Sequence, residues 1–343
     1  MLAYGFIYLL GLLFLLKPSF IRKEKHFFIL WMVSSMTVSV YIRSLIGNIE
    51  MADIDQYVFL MQEESEIPYF LREFIFWFSI RFLYNVTSSG MVTFMIIDFI
   101  LFIILYRGFF LIKYAFFPTI DSVNVRYLLL GSLLFFPYFL GMNGTYRQII
   151  AASILLSVIG YMGNKKILKA FLSYVFSIFI HNPVLLFLPL LFIFSKKRYK
   201  VIAVIGLLFS PVIFWIVFTS ENAIFIRSEG NKIGENITYI YLLSFLFLLS
   251  LSFLIGGLKK TNNRVIFYFW FIVITLYSIL AGFLESGSAE RYALYIYVLI
   301  FPILGLFFEG NIMNKVLVRL TYYHLSIVPL LTYYQSSLLK IMI

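Results

Sequence analysis

The sequence predicts an all-α, polytopic integral membrane protein, and three observations lead there. Of its 343 residues, 62% are hydrophobic and only 13% charged, with a mean hydropathy of +0.96. A soluble domain of this length needs far more polar surface. Aromatic residues reach 20% and gather near the ends of apolar runs, where amphipathic rings settle at the membrane interface. The polar loops between those runs sort by charge. There is no cysteine, which excludes disulfides, thiol catalysis and thiolate metal sites. Neither a soluble domain large enough to hold a nucleotide nor a glycine-rich phosphate loop is present, which argues against ATP-driven chemistry.

Apolar runs fall at 2–16, 27–47, 91–106, 126–141, 146–162, 168–182, 183–195, 201–219, 237–256, 265–284, 292–309 and 321–339, about twelve spans in one transmembrane domain over residues 1–343. Several are shorter than the ~20 residues of an upright span, so tilted or re-entrant pieces are expected. No basic residue precedes the first run, and a positive stretch, Lys17 to Lys25, follows it. This order reads as a retained helix with its N-terminus outside, not as a cleavable signal. Residues 69–86 (YFLREFIFWFSIRFLYNV) place Arg72 and Arg81 about 180° apart on a helix. One lipid-embedded helix cannot hide both, so an interfacial or re-entrant helix is expected there.

The segments 17–25, 107–126, 164–169, 196–200, 259–264 and 310–319 hold 13 of the 15 lysines and are therefore expected to face the cytoplasm. The opposite loops, 48–73, 141–147, 220–236 and 285–291, carry twelve of the sixteen acids. The net charge of +11 is thus a matter of topology, and nucleic acid is not an expected partner. On the outer side two lysines remain, against six arginines: Arg43, Arg72, Arg81, Arg147, Arg227 and Arg291. Arginine suits bidentate contact with phosphate or carboxylate, so this bias points to an anionic ligand at the outer leaflet.

Arg147 and Gln148 follow the turn GMNGT and open a helix, where free backbone N–H groups and the helix dipole already favour an anion. A lone arginine there would read as an anchor snorkelling to headgroups; its glycines, Gln148 and the other outer arginines favour a binding role. His181, just before Pro183, ends the run that starts at the cytoplasmic lysines, and so arrives at the level of Arg147. An imidazole there can take a proton from a hydroxyl nucleophile, the alternative being a histidine satisfied by a neighbouring helix. His26 and His324 read as structural. Glu285, Glu290 and Arg291 open a later helix, either capping it locally or placing Arg291 beside Arg147 with Glu290 orienting it. Asp53, Asp55 and Tyr57 lie in the first outer loop. The Asp-x-Asp doublet is similar to metal-binding doublets, but an acceptor-sugar contact or a salt bridge is the favoured reading. Asp98, the one acid deep inside a span, must be partnered or protonated.

Taken together, Asp53 with Tyr57, Arg147-Gln148 opening a helix, His181 about thirty residues on, and Glu290-Arg291 before a late helix resemble the EpsG family. That family is similar to the Wzy-type bacterial polysaccharide polymerases, and the likeness spans roughly residues 48 to 305. The family's histidine is usually followed two positions on by a small hydroxylated residue; here the chain reads His181-Asn182-Pro183, and Asn182 is the substitute.

The resemblance implies a glycosyltransferase-C-like helical bundle in a bacterial cytoplasmic membrane, with its active site facing outward. It implies polymerisation of undecaprenyl-diphosphate-linked oligosaccharide repeats without metal or cofactor, alongside a chain-length regulator and a flippase. Arg147 and Arg291 would bind the diphosphate with Gln148, and Arg72, Arg81 and Arg227 are further candidates. His181 would be the base, and Asp53, Asp55, Tyr57, Asn182 and Glu290 would meet the acceptor sugar. Tyr57, Tyr69, Tyr146 and Tyr292 would form an aromatic rim for sugar faces. A flippase or exporter of the same lipid-linked sugars, and a membrane glycan ligase, are the competing readings.

Overall fold

The computed structural model describes residues 2–44, 46, 52–62, 73–135, 138, 141–142, 144–193, 197–219, 243, 246–247, 286–311 and 315–326. Arg72, Arg227, Glu285 and Tyr69 lie outside the described residues, as do the side chains of Asp53, Glu290, Arg291 and Tyr292.

Among the described residues the chain is helical and contains no β-strand. The helices are α1 (Leu2–Leu16), α2 (Glu24–Arg43), α3 (Ala52–Gln62), α4 (Phe74–Thr87), α5 (Gly90–Phe116), α6 (Arg126–Leu134), α7 (Tyr146–Gly163), α8 (Ile167–Ile180), α9 (Leu190–Ile193), α10 (Lys197–Thr219), α11 (Ser286–Asn311) and α12 (Lys315–Leu325). Three of them, α2, α5 and α7, are long and apolar enough to cross a membrane. The expected runs at 237–256 and 265–284 lie outside the described residues, apart from isolated positions.

Where boundaries differ from the hydropathy reading, proline explains more than charge does. Helix α5 runs ten residues past the expected end at 106, through Arg107 and Lys113, and stops at Phe116, two residues before Pro118. Both cations are accommodated: Arg107 lies 5.7 Å over the Tyr161 ring, and Lys113 4.5 Å over Tyr114. Pro137 likewise limits α6 to nine residues, where a run to 141 was expected. Pro183 and Pro189 break the expected 183–195 span into a 3-10 segment (Asn182–Phe187) and the four-residue α9. The acidic 48–73 segment, expected as a loop, contains α3.

Helix α4 has 14 residues, about 21 Å at 1.5 Å per residue, which is short of a ~30 Å hydrocarbon core. It packs against α5 and α8. Arg81 on α4 is half-buried.

Helix α7 is the centre of the bundle, lying against α5, α8 and α11. Its contact with α5 is close because two glycines permit it. A Cβ on Gly160 would stand 2.5 Å from Leu111 Cβ, and one on Gly108 3.0 Å from Leu156 Cβ. Small residues at such crossings are the usual means of close packing where lipid supplies no hydrophobic drive. At the far end of the bundle Arg319 pairs with Glu309 (Nε–Oε2 2.7 Å), and both are buried. His324 pins α12 to α1 through the Tyr8 hydroxyl at 3.0 Å, while His26 is exposed.

Candidate functional site

The site forms where α7 begins. Thr145 is its N-cap residue, with a carbonyl that accepts from the N–H groups of Gln148 (3.0 Å) and Ile149 (3.1 Å). Tyr146 and Arg147 therefore occupy the first turn and point in different directions, because consecutive helical residues diverge by about 100°.

Tyr146 turns inward. Its hydroxyl donates to Asp98 Oδ1 at 2.6 Å. Arg43 grips the same carboxylate through Nε to Oδ2 (2.8 Å) and Nη2 to Oδ1 (2.9 Å), Ser39 Oγ donates to Oδ2 (2.6 Å), and Arg43 Nη1 donates to the Met142 carbonyl (2.9 Å). Both charged side chains are fully buried. Asp98 is thus partnered, as its depth required. Arg43 is not among the arginines available to an outer-leaflet anion, because all its charge is committed to Asp98. Tyr146, expected at an aromatic rim, lies in the core instead.

Arg147 turns the other way and meets a residue that the sequence did not single out. Its Nη1 donates to Glu73 Oε2, and its Nε donates to the Tyr57 hydroxyl at 3.0 Å. The guanidinium carbon lies 5.4 Å over the rings of both Tyr57 and Trp77. Glu73 Oε1 lies 2.6 Å from His181 Nδ1 and accepts the Asn182 backbone N–H at 3.2 Å. His181 closes α8 in an extended conformation, its N–H still bonded to the Ser177 carbonyl at 3.0 Å. The imidazole stacks on Tyr295 of α11, centroids 6.2 Å apart and planes 13° from parallel.

The electrostatics follow from this geometry. Burial alone would raise the Glu73 carboxyl above its ordinary value of 4.5, but the His181 imidazole, the Arg147 guanidinium and the Asn182 N–H outweigh it and hold the group at about 2. The carboxylate is covered (7% exposed), while Arg147 and His181 remain 24% and 20% exposed. A guanidinium and an imidazole, both partly exposed, stand over a covered carboxylate. Three polar atoms on residues next to this cluster, Trp77 Nε1, Thr145 Oγ1 and Tyr295 Oη, are buried with no hydrogen-bond partner among the described residues.

Of the expected residues, the structure brings together Arg147, His181, Asn182 and Tyr57. Tyr57 is buried (3% exposed) as a support beneath Arg147, not as part of a rim. Gln148 is buried on α7, and Asp55 is half-buried on α3, which also carries Asp53. Glu290 and Arg291 lie in the opening turns of α11, with Arg291 one helical turn before Tyr295. Glu73 was the residue missed. It stands immediately before the amphipathic α4, an N-cap position whose carboxylate would ordinarily bond its own helix. Here it makes no such bond. Both its oxygens are committed to Arg147, His181 and Asn182, a set that suits ion pairing rather than metal ligation.

Compared with models of known protein families, with curated proteins and with solved structures, the chain matches none.

Proposed function

We propose that this protein is a metal-independent membrane glycosyltransferase of the polysaccharide-polymerase type, spanning a bacterial cytoplasmic membrane about twelve times with its site facing outward. The substrates are undecaprenyl-diphosphate-linked oligosaccharides. The observation that carries this reading is the meeting of Arg147 and His181 on one buried carboxylate, at the ends of consecutive helices.

In the reaction, a hydroxyl of the incoming lipid-linked repeat attacks the anomeric carbon of the growing chain. The bond from that carbon to the diphosphate oxygen breaks, and the lipid diphosphate leaves with the electron pair. The hydroxyl proton passes to His181, whose Nδ1–H donates to Glu73 and whose lone pair is therefore on Nε2. Arg147 stabilises the negative charge that develops on the leaving diphosphate, and it is preorganised for this by Tyr57, Trp77 and Glu73. Arg291 is the second diphosphate ligand in this reading. A flippase would need charge spread along a central path, whereas the deep pair Arg43–Asp98 is closed on itself, which supports an enzyme fixed at one face. A ligase shares the chemistry and differs only in acceptor.

The test is elongation. Purified protein with a lipid-linked repeat is expected to yield a ladder of longer glycans without ATP and in EDTA. Arg147→Ala, Arg147→Lys and His181→Ala are expected to lower elongation by about 10²-fold or more while leaving the protein folded in the membrane. Wild-type ladders from Arg147→Ala would refute the diphosphate role. Ladders lost in EDTA and restored by Mg²⁺ would refute metal independence.

A further inference from the structure

Glu73 braces Arg147 and His181 in the reaction above, but its charge also acts on the anion seat of the arginine. A carboxylate paired with the leaving-group arginine competes with the very charge that the arginine is meant to receive. We infer that Glu73 is a resident occupant of the anion seat: its Oε2 holds the position on Arg147 that a phosphoryl oxygen of the ligand takes over, while its Oε1 keeps hold of His181. This rests on the reading of Arg147 as a diphosphate ligand.

The division of labour between the two oxygens is the basis. Oε1 accepts from the His181 ring and from the Asn182 backbone N–H, so it is tied to the end of α8 at two points. Oε2 is tied at one point, to Arg147. Exchange at Oε2 therefore breaks one bond and leaves the imidazole tautomer fixed. The exposure gradient runs the same way: the partly exposed guanidinium can be approached from outside, whereas the carboxylate beneath it cannot. Among the described residues, the charged or titratable groups about Glu73 are Arg147 from α7, His181 from the end of α8, and Tyr295 from α11, with Tyr57 of α3 reached through Arg147. A phosphoryl group with two or more charged oxygens outcompetes one carboxylate oxygen for a guanidinium fork. Once it does so, Glu73 faces only His181 and the Asn182 N–H, and its charge is left to support the imidazolium formed in the transfer.

A purely bracing residue and a resident occupant make opposite forecasts. The full chain in phosphatidylcholine nanodiscs is titrated with farnesyl diphosphate, with farnesol as the uncharged control, and elongation is measured in parallel. Glu73→Gln and Glu73→Ala are both expected to bind farnesyl diphosphate about tenfold tighter than wild type, because a competing charge is gone. Both are expected to elongate more slowly, Glu73→Ala more severely, since Gln still offers His181 an oxygen. Glu73→Asp, which keeps the charge, is expected not to tighten binding, and it serves as the folded control should the other two melt early. Weaker or unchanged farnesyl diphosphate binding in Glu73→Gln and Glu73→Ala would overturn the inference, as would tighter binding with undiminished elongation. If Arg147→Ala binds farnesyl diphosphate as wild type does, the diphosphate reading itself fails, whatever Glu73 does.

Discussion

Tyr146 and Arg147 are neighbours in the chain, yet they serve two arginine–carboxylate pairs built in opposite ways. On the Tyr146 side, Arg43 and Asp98 are fully buried and bidentate, with the remaining carboxylate positions taken by Ser39 and Tyr146. On the Arg147 side only the carboxylate is covered, and the guanidinium and imidazole above it are partly exposed. The first pair has been withdrawn from solvent completely and joins α2, α5 and α7. The second is left reachable and joins the ends of α4, α7 and α8. The first guanidinium is closed in among its partners, while the second is partly exposed. Net charge or residue type could not separate the two arginines; their enclosure does.

The contrast can be broken hardest at Asp98. Asp98→Ala leaves the Arg43 guanidinium buried without its counter-charge, at a cost of about 3–5 kcal/mol. The expected readout is a large fall in folded yield and in the thermal midpoint of the solubilised protein. The double variant Arg43→Met with Asp98→Leu is expected to recover most of that loss. Equal losses in the single and double variants would show that the pair is not what closes this region.

An intermediate effect is expected from pH at the second pair. In the folded protein the Glu73 carboxyl is held at about 2, below its ordinary 4.5. Its contribution to stability is therefore fully present above about pH 5 and is lost as pH falls from 4.5 toward 2. The difference in thermal midpoint between wild type and Glu73→Gln should shrink as pH falls below 4.5. A difference that persists unchanged at pH 3 would show that the carboxylate is not what stabilises the cluster. The smallest effect belongs to Tyr57→Phe, which removes the oxygen that accepts from Arg147 Nε but keeps the ring beneath it. A loss of about 1 kcal/mol, roughly fivefold in farnesyl diphosphate affinity, is expected. A loss as large as that of Arg147→Ala would make the hydroxyl more than a support.

Helix positions were legible because hydropathy and helix ends are local properties. Helices α1, α7 and α8 lie within two residues of the runs read from sequence. So were Arg147 and His181, because each stands at a helix end where an apolar run meets a turn. What could not be read was enclosure. Asp98 looked solitary since its partner lies 55 residues away, although Ser39 and Arg43, one turn apart at the end of α2, form a polar face in an apolar helix. Glu73 was counted as one acid of an acidic segment, and only tertiary packing sets it apart. The prolines at 118, 137, 183 and 189 carried the true boundaries, and weighting them above charge would have corrected α5, α6 and the 183–195 run.

The pairing of Tyr146 with Arg147 also sets a phase. Because one residue is held from inside the bundle and the next from one end of it, the rotation of α7 about its own axis is fixed from two directions. Inserting or deleting a single residue between Thr145 and Gln148 turns the helix by about 100°. Either the core clasp or the surface cluster can then be met, but not both. The dipeptide acts as a keyway: length can vary elsewhere in the connection, while the order and adjacency of these two side chains keep the buried helix and the exposed charges in step.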